Sequence, residues 1–322
     1  MNEQRRAPGE DLIWMITGSS RGFGRRIVEA ALEHGDRVVA TARRGSALDD
    51  LAERYGPDRL LVADLDVTDP EAAKRVVSRA VDRFGRLDVV VDNAGYANSG
   101  PIEELPEDDF RAQVETNFFG VVNVTRAALP VFRAQRSGLF LRFSSVGGRI
   151  GGTPGLSAYQ AAKFAVEGFS EVLAAETAPF GVRVVIVEPG AFRTDWQGDS
   201  MRMHRVGTDY EPTVGAIHAM RRESDGTQPG DPVRGARVLV ALAHGDLPGA
   251  GEGLPLRLPL GSDAVTRVLS GDQARLDEAK AWAHVGRSAD FAASDSPDIA
   301  SPDIDSTDVA AGAVPDRGAA VP

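Results

Sequence analysis

Apolar residues in this chain gather into short unbroken runs, separated by longer stretches in which apolar and polar positions alternate at helical spacing. Leu12-Ile13-Trp14-Met15-Ile16-Thr17 is the first run, and it has no polar face, as expected of a strand buried on both sides of a sheet. From Arg25 to Glu33, residues Ile27, Val28, Ala31 and Leu32 fall on one side of a predicted helix. The alternation then repeats, with predicted strands at 37–42, 60–67 and 87–91, and a helix opened by Pro70 and stopped by Gly85. Beyond these, a helix is predicted over 106–135, a strand over 139–144, a helix carrying Tyr159 to about Ala178, and a strand over 182–187. Residues 233–243 read as a helix, 254–260 as a short final strand and 263–283 as a last helix. This alternation predicts an α/β fold whose parallel sheet is covered by helices on both faces.

In open sheets of this kind, ligands gather outside the carboxyl ends of the strands. Gly18, Arg43, Asn93 and Ser145 follow four such ends, which directs them to one crevice. The first end leads into Gly18-Ser19-Ser20-Arg21-Gly22-Phe23-Gly24, and a helix follows. A glycine turn in that place lets backbone N–H groups and a helix N-terminus face a pyrophosphate. Its spacing departs from G-x-G-x-x-G, and loops are rich in glycine in any case. The second strand ends in Arg43-Arg44, where an acidic residue would suit the 2'-hydroxyl of NAD and an arginine the 2'-phosphate of NADP. Paired arginines after a strand are also an ordinary solvated edge. Asn117 falls inside a predicted helix, where its amide competes for backbone groups, so it marks either a kink or a special task.

Length and composition narrow the class. The 322 residues, 42% of them hydrophobic, suit one α/β domain of about 250 residues with additions. A net charge of -11 argues against a nucleic-acid partner and against a basic membrane surface. With no cysteine, disulfides and thiolate metal sites are excluded, and the five dispersed histidines form no HExxH-like pair, so no metal is expected. Residues 1–11 are polar, and no apolar run reaches the roughly 18 residues of a spanning helix, which makes a cytoplasmic location the expectation. Residues 286–322 change to Asp, Ala, Ser and Pro, with seven aspartates against two arginines, and are expected to be disordered. Residues 12–285 would then form one domain. Its loop-rich stretch 190–232, following a strand end, is the candidate substrate lid.

Tyr159 and Lys163 carry the candidate chemistry. Four residues make about one helical turn, so the phenol and the ammonium project from one face. A free phenol, with a pKa of about 10, holds its proton too tightly to work well near neutrality, and a neighbouring cation lowers that value. The Ser145 hydroxyl could hold the oxygen atom that receives the proton. The same pairing also occurs widely as a packed aromatic beside a solvated amine.

Taken together, Thr17-Gly18-Ser19-Ser20-Arg21-Gly22-Phe23-Gly24, Asp66-Val67, Asn93-Ala94-Gly95, Asn117, Ser145, Tyr159-x-x-x-Lys163 and Pro189-Gly190-Ala191-Phe192-Arg193-Thr194 resemble the short-chain dehydrogenase/reductase family. The resemblance runs from about Leu12 to about Ala283. It implies a Rossmann-type, doubly wound, seven-stranded parallel sheet and a tetrad of Asn117, Ser145, Tyr159 and Lys163. In that pattern Tyr159 protonates a carbonyl oxygen as hydride arrives, and Ser145 orients the carbonyl. Lys163 lowers the phenol pKa and holds the nicotinamide ribose, and Asn117 anchors a water leading to Lys163. Asp66 and Val67 would contact adenine, Asn93, Ala94 and Gly95 would wall the cleft, and Pro189, Gly190 and Thr194 would meet the nicotinamide. Arg21 and Arg43 stand where NADP-preferring members have cations, so NADP(H) is expected over NAD(H). Two departures stand out: Asp92 replaces a usual asparagine, and the serine-to-tyrosine interval of 14 residues is one longer than expected, which leaves Ser144 as an alternative hydroxyl.

The expected activity is interconversion of a small-molecule carbonyl and its alcohol, in a homodimer or homotetramer by family analogy. The alternative is a catalytically silent NADP(H)-binding sensor or scaffold. A sugar-nucleotide epimerase would need a larger C-terminal part than 190–283 provides. Phe192, Trp196, Met201, Met203 and Tyr210 would make the lid apolar, which suits an apolar ketone.

Overall fold

The computed structural model describes residues 11–196, 201–247 and 253–291. Seven parallel strands lie in the order β3-β2-β1-β4-β5-β6-β7: β1 Ile13–Ile16, β2 Arg37–Ala42, β3 Leu60–Asp64, β4 Val89–Asp92, β5 Gly138–Phe143, β6 Val182–Pro189 and β7 Arg257–Leu260. This is the doubly wound Rossmann-type order, in which the strand sequence reverses direction beside β1. The helices are α1 Gly22–His34, α2 Asp49–Tyr55, α3 Pro70–Phe84, α4 Glu107–Val114, α5 Gly120–Gln135, α6 Val146–Arg149, α7 Ser157–Thr177, α8 Ala216–Ser224, α9 Pro232–His244 and α10 Ser262–Arg287.

The sequence sets the helix limits by simple devices. Asp69 accepts from Glu71 N and Ala72 N at 2.9 and 3.0 Å, Pro70 starts α3, and Gly85 ends it at φ +82°. Asp231, Pro232 and Gly245 repeat the scheme around α9. Side chains alternate across the sheet. Trp14 and Ile16 therefore face α1 and α9, where Ile27, Val28, Leu239 and Val240 meet them. Ile13 and Met15 face the opposite layer, built on Val76, Val77, Val124 and Phe132.

Several boundaries move. The predicted helix over 106–135 is α4 and α5 joined by a π-helical turn at Glu115–Phe119, with Asn117 inside that wider turn. The final strand begins at Arg257 rather than 254, because Pro255 can donate no ladder hydrogen bond. The last helix runs on to Arg287, past the predicted tail boundary at 286. One compact unit ends at Gln273 and a second begins at Ala274. The expected disorder beyond 286 falls mainly on 292–322, outside the described residues, as do positions 1–10 of the N-terminal extension. Asp92 does not substitute for the missing asparagine; it lies opposite Arg142 in β5 and pairs with it.

Candidate functional site

The carboxyl ends of β1, β2, β4, β5 and β6 open onto a cavity of about 710 Å³. At the end of β1, Gly18 and Gly22 take φ of +67° and +55°, a region that an L side chain adopts only with strain. A Cβ on Gly24 would lie 2.3 Å from Gly18 O and 2.5 Å from Asn93 Nδ2, so the first turn of α1 can sit this close only as glycine. Asn93 Nδ2 donates to Thr17 O and Gly18 O at 3.0 and 3.1 Å, and Thr17 Oγ1 accepts from the Asn93 and Ala94 amides at 3.0 Å each. The glycine turn and the end of β4 are thereby fixed to each other.

Ser20, Arg21 and Phe23 line the cavity from this turn, and Arg43 lines it from the end of β2. Asp66 and Val67 border it beyond β3; Asp66 Oδ1 is held by Thr68 N at 3.0 Å and Thr68 Oγ1 at 2.7 Å. Ala94 and Gly95 form a wall, and Pro189, Gly190 and Thr194 close the other end. A Cβ on Gly190 would lie 2.3 Å from the Asp263 carboxylate, which also accepts from Ala191 N at 2.8 Å.

Asn117 is fully buried, and its amide nitrogen donates to Tyr96 O and Gln113 O at 2.8 Å each, while its oxygen accepts from Tyr96 N at 3.1 Å. The side chain that the resemblance assigns to a water is thus occupied in bracing the loop after β4. Lys163 Nζ donates to Phe143 O at 2.5 Å and stands 5.7 Å from the centre of the Tyr159 ring. Ser145 caps α6 by accepting from Gly147 N at 3.0 Å, and it borders the cavity with Tyr159 and Lys163. Ser144 is 3% exposed; a Cβ on Gly148 would meet its Oγ at 2.4 Å, so its hydroxyl is turned against α6.

The electrostatics differ from the simple pairing. Burial pushes the Tyr159 phenol up to about 12, and Ser145 and the charge of Arg221 work against that rise. Burial also pulls Lys163 down to about 8, opposed by Glu167. Arg221, 62 positions further along the chain, thus adds a second cation to the Lys163 that spacing places beside the phenol.

The apolar residues of 190–232 separate. Trp196, Met201 and Met203 join Ala97, Leu156 and Tyr159, with the Trp196 ring centre 5.3 Å from that of Tyr159. Phe192 instead packs on Phe23 at 4.7 Å in the sheet layer, and the exposed Tyr210 hydroxyl donates to Glu103 at 2.8 Å. The segment is also less loop-like than predicted. It contains a 3₁₀ turn at Thr208–Tyr210, a π turn at Glu211–Gly215 and α8.

Sequence reading did not find Tyr96, Thr116, His218 or Arg221. The first two line the cavity, and Tyr96 is signalled only by following Asn93-Ala94-Gly95 directly. The histidines are less dispersed than their numbering: His218 Nε2 lies 2.8 Å from Ser99 Oγ, His204 Nε2 lies 2.5 Å from Asp109 Oδ2, and the His34 and His244 rings stack at 4.0 Å. Among the described residues no helix is long and apolar enough to cross a membrane.

A family model for the short chain dehydrogenases matches residues 13–204. An oxidoreductase of Botryotinia fuckeliana, BOA17, is 48% identical over 253 residues, covering 79% of this chain and 90% of the relative. Among solved structures, a short-chain dehydrogenase from Streptomyces avermitilis superposes with a TM-score of 0.79 at 41% identity, covering 88% of this chain and 100% of its own. An alcohol dehydrogenase from the archaeon Thermococcus sibiricus, complexed with 5-hydroxy-NADP, superposes with a TM-score of 0.61 at 26% identity, covering 77% of this chain and 96% of its own.

Proposed function

Since the chain belongs to the short-chain dehydrogenase family of oxidoreductases, we propose that it interconverts a ketone or aldehyde and the corresponding alcohol with NADP(H), Tyr159 serving as general acid and base. The observation that carries this reading is the convergence of Tyr159, Ser145 and Lys163 on the cavity into which the glycine turn opens.

The residues fit a dinucleotide on grounds of shape and charge. Gly18, Gly22 and Gly24 make a cradle that larger residues would fill, and the N-terminus of α1 offers free N–H groups to a pyrophosphate. Arg21 and Arg43 border the cavity, and neither forms an ion pair with a described residue, which leaves both for a 2'-phosphate. Asp66 and Val67 would hold adenine. Lys163, Pro189, Gly190 and Thr194 would hold the nicotinamide half. The bound cofactor supplies or accepts hydride.

The protein's own part is proton transfer and orientation. Burial keeps the Tyr159 phenol protonated, and it would donate that proton to a carbonyl oxygen as the Ser145 hydroxyl and the neighbouring cations offset the rise. Ser145 holds that oxygen, and the Lys163 ammonium and Arg221 guanidinium stabilise the phenolate left behind. Trp196 and Met201 keep water from the reacting face. Asn117 contributes by fixing the loop that carries Gly95 and Tyr96. The stretch 190–232 acts as the lid.

The test is oxidation of NADPH and of NADH, followed at the nicotinamide absorbance, across a panel of ketones and aldehydes. Consumption of NADPH with one carbonyl class supports the reading. Tight NADPH binding without turnover of any carbonyl would favour a silent sensor with the same fold, and no binding of either nucleotide would overturn both.

A further inference from the structure

The tripeptide His-Gly-Asp occurs at 34–36 and again at 244–246, and each copy ends one of two helices, α1 and α9, that pack side by side. Both ends are built alike. Gly35 and Gly245 take φ of +118° and +79°, and the aspartates that follow turn their amides back to the helix, Asp36 N to Ala31 O at 3.0 Å and Asp246 N to Ala241 O at 2.8 Å. In the sequence the two histidines are far apart and suggest no metal; the packing of α1 on α9 joins them.

The rings of His34 and His244 stack with centres 4.0 Å apart and planes inclined by 31°. His34 Nε2 stands 3.9 Å from Asp246 Oδ2, and one ligand atom from each of His34, His244 and Asp246 can be chosen so that all lie within 4.8 Å of one another. Asp36 is buried beneath them. Its Oδ1 accepts from Leu12 N at 2.9 Å, and its Oδ2 accepts from Trp14 Nε1 at 2.8 Å and from His244 Nε2 at 2.9 Å. A carboxylate pinned by two other donors therefore holds the His244 ring. With Nε2 donating, the lone pair on Nδ1 is left to bind a metal, and a carboxylate commonly orients a metal-binding imidazole in this way.

The charge of this place suits a cation. Each helix end presents carbonyl oxygens and the negative pole of the helix dipole, and Asp36 and Asp246 add two carboxylates. The neighbouring cations are engaged elsewhere: Arg59 donates to the carbonyl oxygens of Leu32 and Asp36, and Arg37 faces Asp11 at 3.8 Å. Two imidazoles with a carboxylate are a donor set for zinc and its neighbours, whereas calcium and magnesium take oxygen ligands. Ligands about 2.0–2.2 Å from a tetrahedral zinc ion lie roughly 3.3 Å from one another, so rotation of the exposed His34 and Asp246 side chains closes the present spacing.

We propose that His34, His244 and Asp246 form a binding site for a divalent transition-metal ion of the zinc class, with Asp36 orienting His244 and water completing the coordination. The role is structural. Asp36 precedes β2, at the amino ends of the strands, whereas the cavity lies at their carboxyl ends. Helix α1 begins at the glycine turn that borders the cavity and ends at the metal, so the ion clamps to α9 the helix whose other end faces the cavity. This site stands whether or not the reductase reading holds.

The test uses the full chain without a histidine tag, stripped with a chelator and dialysed, then titrated with Zn²⁺ by calorimetry. One Zn²⁺ should bind per chain, and zinc at about a hundredfold excess over its dissociation constant should raise the melting temperature by about 5 °C relative to protein in EDTA. His34→Gln and Asp246→Asn change exposed side chains, so in EDTA both should melt with the wild type, while zinc affinity falls by more than about 10-fold in each. Co²⁺ in place of Zn²⁺ should give the visible absorption of a four-coordinate site, and His34→Gln should remove it. His204→Gln, which alters the histidine beside Asp109, should bind zinc like the wild type.

Absence of zinc binding in the micromolar range overturns the proposal. So does zinc binding that His34→Gln and Asp246→Asn leave intact, or that His204→Gln abolishes. Calcium binding as tight as zinc binding at the same residues would overturn the assignment to a transition metal.

Discussion

Asp92 and Arg142 stand directly opposite each other on neighbouring strands β4 and β5 and form a buried ion pair in the middle of the sheet. They are 3% and 0% exposed. The Arg142 guanidinium also lies 4.0 Å from the centre of the Phe140 ring, and burial pulls its pKa down to about 9. Its Nε and Nη2 have no hydrogen-bond partner among the described residues, so Asp92 supplies the one counter-charge. Asn93, the following residue, does the bracing of the glycine turn that the usual pair of asparagines would suggest sharing.

Removing one partner of this pair should therefore cost far more than removing both. Asp92→Asn, although it restores the residue usual in the family, is expected to destabilise the fold by about 3–5 kcal/mol. Asp92→Asn combined with Arg142→Leu should recover most of that loss. Denaturant unfolding of the two single variants and the double variant measures the coupling, and additive losses would count against the pair.

Tyr159→Phe should lower turnover by about 10²- to 10⁴-fold while leaving the NADPH dissociation constant nearly unchanged, because the phenol transfers a proton and is not needed for cofactor affinity. Steady-state kinetics beside a fluorescence titration of NADPH decides this. Turnover within a few fold of the wild type would sink the proton-transfer role.

Arg43→Asp should weaken NADPH far more than NADH. The carboxylate repels a 2'-phosphate and can accept from a 2'-hydroxyl, so the loss falls mainly on NADPH. Equal losses for both would remove the 2'-phosphate assignment.

Glu188 offers a test of stability against pH. It is fully buried on β6, with Arg149 Nη1 at 3.3 Å and Arg257 Nε at 3.5 Å, and Glu167 close by. Burial, joined by the Glu167 charge, pushes its carboxyl up from 4.5 to about 7 in spite of both arginines. The folded state then holds a proton that the unfolded chain releases, so this group's contribution to stability falls as pH rises from 4.5 to about 7 and is level above that. Glu188→Gln leaves Arg149 with Asp272, and Arg257 with Glu167 and Glu171. Its melting temperature relative to the wild type should rise across that interval. An offset independent of pH would show that Glu188 is not the titrating group.

The order of strands and helices was legible in the sequence because burial on both sheet faces leaves unbroken apolar runs, and one buried face leaves helical periodicity. Strand ends were legible for the same reason, and with them the crevice to which Gly18, Arg43, Asn93 and Ser145 belong. Tyr159 and Lys163 are joined by one helical turn, a local relationship that spacing expresses directly. Tertiary structure decided what local spacing does not encode. The register of β4 against β5 made Asp92 and Arg142 partners. The π turn at Asn117 turned a helical interior position into a brace for Tyr96. The path of 190–232 sent Phe192 to the sheet layer and brought Trp196 and Met201 to the phenol. The inward face of α8 set Arg221 beside that cluster, in a segment whose mixed polar and apolar pattern gave no sign of which side would be buried. Periodicity reports whether a residue is buried against its own sheet or helix layer; which distant residue it meets there depends on register and crossover, and these exist only once the chain is folded.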